Sequence, residues 1–222
     1  MTKKDITRKT RIKIGFSANK ESWRSSPAVF NSTSLQIQGH PVMENWEDPY
    51  MKALAKIVTT NGGIILEFGF GMGIAARYID QANIKKHIII EANHEVANKA
   101  RDFARIAKHR TEIVEGFAEQ VILDFPKKYF DGILCDVYPL NPDEIHQDNY
   151  KFFQPAYQLL KVGGVLTYYS DEAKEFSNYH KSLLLKVGFR NKNISGQVVK
   201  VKPPKDCLYW RYDSFLAPQV VR

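Results

Sequence analysis

A glycine-rich segment, Glu67-Phe68-Gly69-Phe70-Gly71-Met72-Gly73, lies between a predicted strand and a predicted helix. Glycine at such a turn lets the backbone bend sharply and approach a ligand closely. Glu91 ends the next predicted strand about 20 residues later, where a carboxylate can accept hydrogen bonds from both hydroxyl groups of a ribose. Together these features predict a nucleotide-containing cofactor. A glycine turn without a ligand is the simpler alternative.

The spacing of the glycines separates two such cofactors. The loop reads G-F-G-M-G rather than G-x-G-x-x-G, and no second nucleotide-binding half follows it. This pattern favours S-adenosylmethionine over NAD. Ala92 and Asn93, which follow Glu91, are predicted to belong to the same cofactor site.

Asp136 is the second acidic residue with a chemical role to explain. It follows the apolar run Ile133-Leu134-Cys135, at the edge of the predicted sheet where open α/β folds bind their ligands. A carboxylate that emerges from an apolar strand is costly unless it has a partner. A cationic substrate would be such a partner. A helix cap or an ion pair with lysine or arginine is the alternative.

Alternating strands and helices must position these residues. The apolar runs predict five strands, at residues 64–68, 87–91, 112–115, 130–136 and 165–169. Helical spacing predicts a helix at 74–81, a helix that follows the second strand and ends at about Lys108, and a helix at 145–160, with a turn at 161–164. This order predicts an α/β fold with a mainly parallel, doubly wound sheet and helices on both faces.

Two further elements flank this core. Asp48 is predicted to cap a helix whose first residue is Pro49. Residues 195–201 and 207–213 are predicted to form a closing antiparallel pair, separated by Pro203-Pro204.

Composition excludes several classes of protein. The 222 residues contain 44% apolar and 25% charged residues, as in an ordinary globular protein. No stretch approaches the roughly 20 apolar residues that cross a bilayer, and the basic N-terminus lacks the apolar core of a secretory signal. Two cysteines cannot form a disulfide framework, and the scattered histidines lack metal-ligand spacing. We expect a cytoplasmic protein without a membrane partner or a metal.

The net charge of +8 raises the question of nucleic-acid binding. Residues 1–13 contain six lysines and arginines and one aspartate, so much of the excess lies in a terminal arm. Such arms are more often solubilising than specific binders. Nucleic acid is therefore not favoured as a partner.

Longer segments carry a specific resemblance. They are residues 23–28 (WRSSPA), 40–51 (HPVMENWEDPYM), 66–72 (LEFGFGM), 130–140 (FDGILCDVYPL), 163–168 (GGVLTY) and 203–207 (PPKDC). In these segments the chain resembles the guanidinoacetate N-methyltransferase family, from about residue 20 to its end. The related protein-arginine δ-N-methyltransferases resemble it less after Asp136.

The resemblance implies a class I methyltransferase fold, with residues 1–222 as one domain. Residues 1–40 would form a basic arm and a lid that includes Trp23 and Phe30, and residues 41–222 the catalytic core. The residues that it implies around the cofactor, together with the glycine loop, are Trp23, Met43, Met51, Glu67, Gly69, Phe70, Gly71, Met72, Gly73, Glu91, Ala92, Asn93, Gly116, Phe117, Ala118 and Asp136.

The resemblance also implies that Glu47 and Asp136 hold a guanidinium group as the catalytic pair. A guanidinium is protonated at neutral pH and its nitrogens are poor nucleophiles. Paired charge-assisted hydrogen bonds would orient it, and Asp136 would take the proton as the nitrogen attacks. Tyr138 and Trp23 would shelter the sulfonium by cation–π contact. A solvated residue before a helix is the alternative for Glu47.

The pattern departs from the family after Tyr168. The family has an Asn-Leu-Thr-Ser-type loop whose backbone holds the substrate carboxylate, whereas this chain reads Tyr169-Ser170-Asp171-Glu172. Two acids would repel a carboxylate, so arginine or agmatine stands beside guanidinoacetate as the expected small guanidino substrate. The residues expected on the substrate side are Glu47, Asp136, Tyr138, Tyr168, Asp171 and Glu172.

Two alternatives to a small-molecule enzyme stay open. One is a methyltransferase that acts on arginine in a peptide or protein, because the segment after Tyr169 is about a dozen residues shorter than in the family and would leave the site open. The other is a binding module that kept the fold, against which the three separately placed carboxylates Glu47, Glu91 and Asp136 argue. A homodimer is neither indicated nor excluded.

Overall fold

The computed structural model describes residues 8–10, 12–13, 15–16, 19–145 and 149–222. Most of the predicted basic arm, and residues 146–148 of a predicted helix, lie outside this part of the chain. The strands are β1 (Ala28–Phe30), β2 (Ser34–Ile37), β3 (His40–Glu44), β4 (Ile64–Phe68), β5 (Lys86–Glu91), β6 (Arg110–Glu115), β7 (Phe130–Cys135), β8 (Leu160–Tyr168), β9 (Ile194–Lys200) and β10 (Ser214–Val221). The α-helices are α1 (Lys20–Ser25), α2 (Asp48–Val58), α3 (Ile74–Gln81), α4 (His94–Ile106), α5 (Ala118–Val121), α6 (Phe153–Leu159) and α7 (Asn178–Val187).

Strands β4 to β10 form one sheet in the order β6-β5-β4-β7-β8-β10-β9. β4 to β8 are parallel, and β10 is antiparallel to both β8 and β9. The strand order reverses at β4, which lies between β5 and β7. The carboxyl end of a strand at such a reversal is where open α/β sheets bind ligands.

Both faces of the sheet are covered, as strands rich in Ile, Leu and Val require. On one face Ile65 and Leu134 pack with the buried side of α2. On the other face Leu66 and Ile133 pack with residues of α6 and α7. Each large apolar side chain that is fully buried contributes roughly 1.5–3 kcal/mol, so this alternation fixes the register of the strands. The predicted parallel sheet with helices on both faces is confirmed.

The N-terminal segment forms a second, smaller sheet of β1, β2 and β3 that the sequence did not predict. Its strands are antiparallel and short, with a register shift between Leu35 and Gln36. Leu35 and Ile37 are buried against Val96 and Ala100 of α4. The sheet and helix α1 thus cover the carboxyl end of the main sheet.

The closing antiparallel pair was predicted in part wrongly. Its first strand is β9, but the second is β10 at Ser214–Val221 and not residues 207–213. The segment 207–213 is a loop in which Cys207, Tyr209 and Trp210 are buried as separate anchors. Cys207 and Tyr209 lie two residues apart with exposed Leu208 between them, as in a strand, but the adjacent Trp210 is buried as well.

Other boundaries also differ from the prediction. In place of one helix over 145–160, α6 begins only at Phe153, after short 3₁₀ turns at Pro142–Glu144 and Tyr150–Phe152. The Asn149 side chain lies between these turns and bonds to two neighbouring loops instead of supporting a helix. The predicted turn at 161–164 belongs to β8.

At α2 the helix begins at Asp48 itself, and Pro49 is its second residue. The Asp48 carboxylate accepts a hydrogen bond from the Tyr78 hydroxyl rather than capping the helix. Within the described ranges, the structure contains no helix long and apolar enough to cross a membrane.

Candidate functional site

A cavity of about 340 Å³ lies between the carboxyl ends of the main sheet and the N-terminal lid, which we define as α1 with β1, β2 and β3. Its wall includes residues from the loops after β4, β5, β6, β7 and β8. Of the residues predicted for the site, those that line it are Trp23, Met43, Glu47, Gly69, Gly71, Glu91, Ala92, Gly116, Phe117, Ala118, Asp136, Tyr138 and Asp171. Residues far apart in sequence are thus brought to one place.

The glycine loop has a backbone that only glycine adopts readily. Gly69 has φ +83°, and a Cβ atom there would lie 2.2 Å from the carbonyl oxygen of Asp136. The Gly69 N–H donates to the carbonyl of Ile90 at 2.8 Å. The loop is therefore held tightly between the ends of β5 and β7, and it forms the floor of the cavity.

Glu91 joins this loop to the end of β5. Its carboxylate accepts hydrogen bonds from the backbone N–H groups of Phe70 and Asn93, each at 2.8 Å. Burial raises the pKa of Glu91, while these N–H donors oppose the rise. The ionised carboxylate favoured by these donors is the form that accepts hydrogen bonds from the hydroxyl groups of a ribose.

An apolar end of the cavity lies beside Glu91. Phe117 and Ala118, after β6, are buried and line it. On the opposite wall Trp23 of the lid stacks on Tyr138, with ring centroids 5.2 Å apart and planes within 8°. Aromatic and small apolar groups of this kind suit the planar base of a nucleoside.

Asn93 fastens the lid. Its side-chain oxygen caps α4 by accepting from the N–H groups of Glu95 and Val96, both at 3.1 Å. Its amide nitrogen donates to the carbonyl oxygens of Trp23 and Ser26 at 2.9 and 2.8 Å. One buried side chain therefore ties the lid to the element that carries Glu91.

Glu47 stands at the other end of the cavity, in the 3₁₀ turn before α2. It is 2% exposed, and its Oε1 accepts from the Tyr209 hydroxyl at 2.7 Å and from the Glu44 N–H at 3.0 Å. Burial raises the pKa of Glu47 to about 8, with a smaller contribution from the negative charge of Asp136, although the Tyr209 hydrogen bond opposes the rise.

Asp136 directly follows β7, and its backbone N–H donates to the carbonyl of Phe68 at 3.0 Å. Its side chain keeps some exposure because it faces the cavity, yet the surrounding protein excludes most of the water. Burial, together with the negative charges of Glu67, Asp171 and Glu91, raises the pKa of Asp136 to about 7. A cation in the cavity would reverse these effects.

The loop after β8 supplies a third acid. Asp171 is 4% exposed and has φ +52°, an uncommon conformation for a residue other than glycine. Ser170 holds the loop: its hydroxyl donates to the Leu216 carbonyl at 2.7 Å, and its N–H donates to the Tyr50 hydroxyl at 3.1 Å. Asp171 is thus placed by a rigid loop.

Several residues predicted for the site do not line the cavity. Met51 and Phe70 are core residues, Glu67 pairs with His87 at 2.8 Å, and the Met72 N–H donates to the Met43 sulfur at 3.3 Å. Gly73 precedes α3, and Asn93 lies behind Glu91.

Two residues expected on the substrate side also lie elsewhere. Tyr168 is fully buried on the far face of the sheet, where its hydroxyl is 2.5 Å from Nε2 of His180. Glu172 lies on the same side, with Oε1 3.9 Å from Nδ1 of His180. The side chains alternate along this strand and loop, so neighbours of cavity residues point away from it.

Tyr209 and Tyr169 line the cavity but were absent from the predicted site. Tyr209 lies in the segment 207–213, for which the sequence predicts a strand, so its direction toward the cavity is not predicted. For Tyr169 the sequence predicts only the end of a strand and the start of the loop that follows it. A tyrosine beside the matched segment 203–207 was the available signal for Tyr209.

The lining residues fit S-adenosylmethionine. Glu91 offers acceptors to a ribose, Phe117 and Ala118 offer an apolar surface to a base, and the acids Glu47, Asp136 and Asp171 complement a positive sulfonium. No group of three or more His, Cys, Asp or Glu residues suited to a metal ion occurs in the described part of the chain.

Comparison with known proteins agrees with this geometry. A family model described as guanidinoacetate N-methyltransferase matches residues 13–222. Among similar proteins, "Protein arginine N-methyltransferase 2" of Kluyveromyces lactis is 28% identical over 172 residues, which is 72% of this chain and 41% of that protein. The chain thus spans about two fifths of the length of such relatives.

Solved structures support the fold. Spermidine synthase from Thermotoga maritima has a TM-score of 0.61 at 18% identity, over 89% of this chain and 72% of that one. An O-methyltransferase from Bacillus cereus, solved in complex with SAH, has a TM-score of 0.53 at 18% identity, over 81% of this chain and 82% of that one. The fold is the Rossmann-like fold of class I methyltransferases, and S-adenosylmethionine is the cofactor.

Proposed function

Because the chain belongs to the guanidinoacetate N-methyltransferase family, we propose that this S-adenosylmethionine-dependent methyltransferase acts on a guanidino nitrogen of an arginine side chain in a peptide or protein. The observation that carries the proposal is the convergence of Glu47, Asp136 and Asp171 on one cavity. Three nearby carboxyl groups with restricted access to water require a cationic partner to ionise together.

Asp171 favours arginine within a chain over guanidinoacetate. It is buried and close enough to Asp136 to raise the pKa of that carboxyl. A substrate carboxylate in the same cavity would meet like charge, whereas an arginine residue in a chain has a neutral backbone. The name of the relatives, protein arginine N-methyltransferase 2, supports the same acceptor.

The proposed chemistry uses residues of the chain in distinct roles. Bound S-adenosylmethionine supplies an electrophilic methyl group on a positive sulfur. Glu47 and Asp136 hold the guanidinium by charge-assisted hydrogen bonds and concentrate its positive charge away from the reacting nitrogen. As the N–CH₃ bond forms and the S–CH₃ bond breaks, Asp136 accepts the proton that this nitrogen loses.

Tyr209 positions Glu47 for this role. Its O–H bond to Glu47 Oε1 leaves the other carboxylate oxygen for the substrate and lowers the pKa of Glu47 against the effect of burial. Trp23 and Tyr138 exclude water from the cofactor side. Exclusion of water strengthens each of these electrostatic contacts.

A small guanidino compound is the second candidate substrate. The family match favours it, and so does the lid, because Trp23 is only 5% exposed where it covers the cavity. Agmatine is cationic at its far end and suits the acidic wall better than guanidinoacetate.

The test measures conversion of S-adenosylmethionine to S-adenosylhomocysteine with an arginine peptide, free arginine, agmatine and guanidinoacetate. We expect kcat/KM to be highest for the peptide and lowest for guanidinoacetate. Asp171→Asn should raise kcat/KM for guanidinoacetate relative to agmatine by about tenfold, since one like charge is removed. Preference for guanidinoacetate in the wild type would overturn the arginine proposal. No turnover with any of them, despite cofactor binding, would overturn the guanidino assignment itself.

A further inference from the structure

The positive charge of the chain is concentrated in two segments. Besides the N-terminal arm, residues 174–211 contain nine lysines and arginines and only two acidic residues, a net charge of +7. Residues 14–173, which include the cavity acids, have a net charge of −4. The basic C-terminal segment is therefore a distinct feature of the molecule.

These basic residues lie at the two opposite ends of the strands of the main sheet. Lys200 of β9 pairs with Ser214 of β10, whereas the other end of β10, at Val220, pairs with Leu166 of β8. β9 therefore runs in the same direction as β8, and it ends on the side of the sheet where the carboxyl ends of the strands and the cavity lie. The loop 201–213 that follows β9 lies on this side, which we call the cavity edge, and residues 186–192 lie on the opposite side, which we call the far edge.

We name two sets of exposed side chains accordingly. The cavity-edge cations are Lys202, Lys205 and Arg211, and the far-edge cations are Lys186, Arg190 and Lys192. In the part of the chain that the structure describes, no ion pair is found for the cavity-edge cations, whereas Lys200 beside them pairs with Asp213 at 3.1 Å.

The loop 201–213 also forms part of the cavity wall. Tyr209 lines the cavity and donates to Glu47 at 2.7 Å. Trp210 is 1% exposed and stacks on Phe215 at 4.0 Å between centroids, and the Val201 N–H donates to the Asp213 carbonyl at 3.0 Å. The loop is thus anchored at its base and middle, and the cavity-edge cations project from a rigid support.

From this arrangement we infer that the loop 201–213 is a docking surface for acidic residues that flank the target arginine in a protein substrate. The inference rests on the proposed function. The guanidinium enters an acidic cavity, while the backbone on either side of it stays outside and passes the cavity-edge cations. Complementary charge at such a rim mainly accelerates and orients encounter. A polypeptide is favoured over nucleic acid because the reacting side chain belongs to a polypeptide.

The test compares two peptides with the same central arginine, one flanked by aspartate and glutamate and the other by serine and glycine. For the wild type at low salt we expect kcat/KM to be about tenfold higher with the acidic peptide, since three exposed charge pairs are individually weak but add. The preference should shrink as salt is added. It should vanish in the variant Lys202→Glu, Lys205→Glu, Arg211→Glu.

The matched control is Lys186→Glu, Arg190→Glu, Lys192→Glu, which makes the same change of net charge at the far edge. It should keep the preference for the acidic peptide, and turnover of agmatine should be unchanged in both variants. Equal kcat/KM for the two peptides in the wild type, or equal loss in both variants, overturns the docking surface and leaves the proposed function standing.

A binding measurement distinguishes failure of the docking surface from failure of the proposed function. A fluorescent acidic peptide with glutamine in place of arginine is titrated with each protein. Binding that is lost only in the cavity-edge variant supports the docking surface even where no arginine peptide is methylated. Tighter binding of single-stranded RNA than of this peptide, lost in the same variant, would assign the surface to nucleic acid and overturn the inference.

Discussion

Glu47 and Asp136 differ in the groups that restrain them. Glu47 accepts hydrogen bonds from Tyr209 and from the Glu44 backbone, whereas the pKa of Asp136 is raised by burial and by surrounding acids. A carboxyl group whose pKa of about 7 lies near neutral pH is suited to accept a proton and then release it. This difference supports the proposal that Asp136 accepts the proton and that Glu47 orients the guanidinium.

Asp136→Asn should lower kcat by about 10²–10⁴-fold, because an amide keeps the shape of the side chain but cannot accept the proton. Single-turnover assays with an arginine peptide or agmatine measure this, and calorimetry establishes that S-adenosylmethionine still binds. Asp131→Asn is the control: Asp131 lies on the same strand but pairs with Lys161 at 2.8 Å, away from the cavity. Undiminished turnover in Asp136→Asn would contradict the assignment.

The residues of this site were predictable to different degrees. Glu91 and Asp136 were predicted from their positions at strand ends and Glu47 from the family resemblance, and all three line the cavity. Tyr168 and Glu172 were placed there because they neighbour Tyr169 and Asp171, but their side chains point away. A motif locates a segment of backbone, and the direction of each side chain depends on strand ends that the sequence shows only to within about two to four residues.

At the scale of elements, the glycine loop depends on its backbone conformation. Gly69→Ala should abolish measurable cofactor binding and lower stability by more than about 2 kcal/mol, because the added Cβ would lie 2.2 Å from a backbone oxygen at φ +83°. Thermal unfolding and calorimetry with S-adenosylmethionine measure both effects.

Gly163→Ala is the matched control for that change. Gly163 has φ +82° but nothing within 4 Å of an added Cβ, so only the conformational cost of about 1–2 kcal/mol applies. Equal losses of stability in the two variants would show that the close approach of Gly69 to the Asp136 carbonyl is unimportant.

The position of the lid depends on the hydrogen bonds of one side chain, that of Asn93. Asn93→Asp keeps the oxygen that caps α4 but loses the N–H donors to the carbonyls of Trp23 and Ser26. We expect the lid to open more often, with weaker cofactor binding and faster proteolysis within residues 19–27, while the main sheet stays folded. Asn98→Asp, an exposed change on the same helix, should leave both measurements unchanged. Unaltered proteolysis in Asn93→Asp would contradict the anchoring role.

The positions of the core elements could be predicted from the periodicity of apolar residues, whereas those of β10 and of the sheet formed by β1, β2 and β3 could not. β4 and α3 lie where the apolar pattern placed them, because their side chains meet the core at regular intervals. β1 and β2 are three and four residues long and are stabilised by packing on α4 rather than by local preference. Contacts of that kind come from the tertiary structure and leave little periodic signal in the sequence.

At the scale of the whole molecule, charge is sorted in a way that composition conceals. A net charge of +8 suggested a basic arm on a nearly neutral body. The body instead combines residues 14–173, which have a net charge of −4 and include the cavity acids, with residues 174–211, which have a net charge of +7 divided between the two ends of the strands. The net charge of the whole chain hides these opposite charges because they partly cancel. The topology puts loop 201–213 beside the cavity, and it therefore shows that the cavity-edge cations lie near the cavity acids.

The acids of the cavity should also make global stability depend on pH. Burial raises the pKa of Glu47 from 4.5 to about 8 and that of Asp136 from 3.8 to about 7. The folded protein therefore binds more protons than the unfolded chain between about pH 4 and 8, so ligand-free stability falls as pH rises across this window. The contribution of these two carboxyl groups to stability is fully present below their pKa values in the unfolded chain. It is lost as the pH rises through their pKa values in the folded protein.

Glu47→Gln tests this dependence, because glutamine keeps an acceptor for the Tyr209 hydroxyl but has no charge to bury. The free energy of unfolding in urea, measured from pH 5 to 8.5 without cofactor, should fall less steeply in the variant than in the wild type. The variant should be more stable than the wild type above pH 8, where the wild-type carboxyl must ionise. Glu21→Gln, an exposed change on α1, should preserve the wild-type slope. Identical slopes for wild type and Glu47→Gln would mean that Glu47 ionises in the folded protein as freely as in water, and the need for a cationic partner in the cavity would then lose its physical basis.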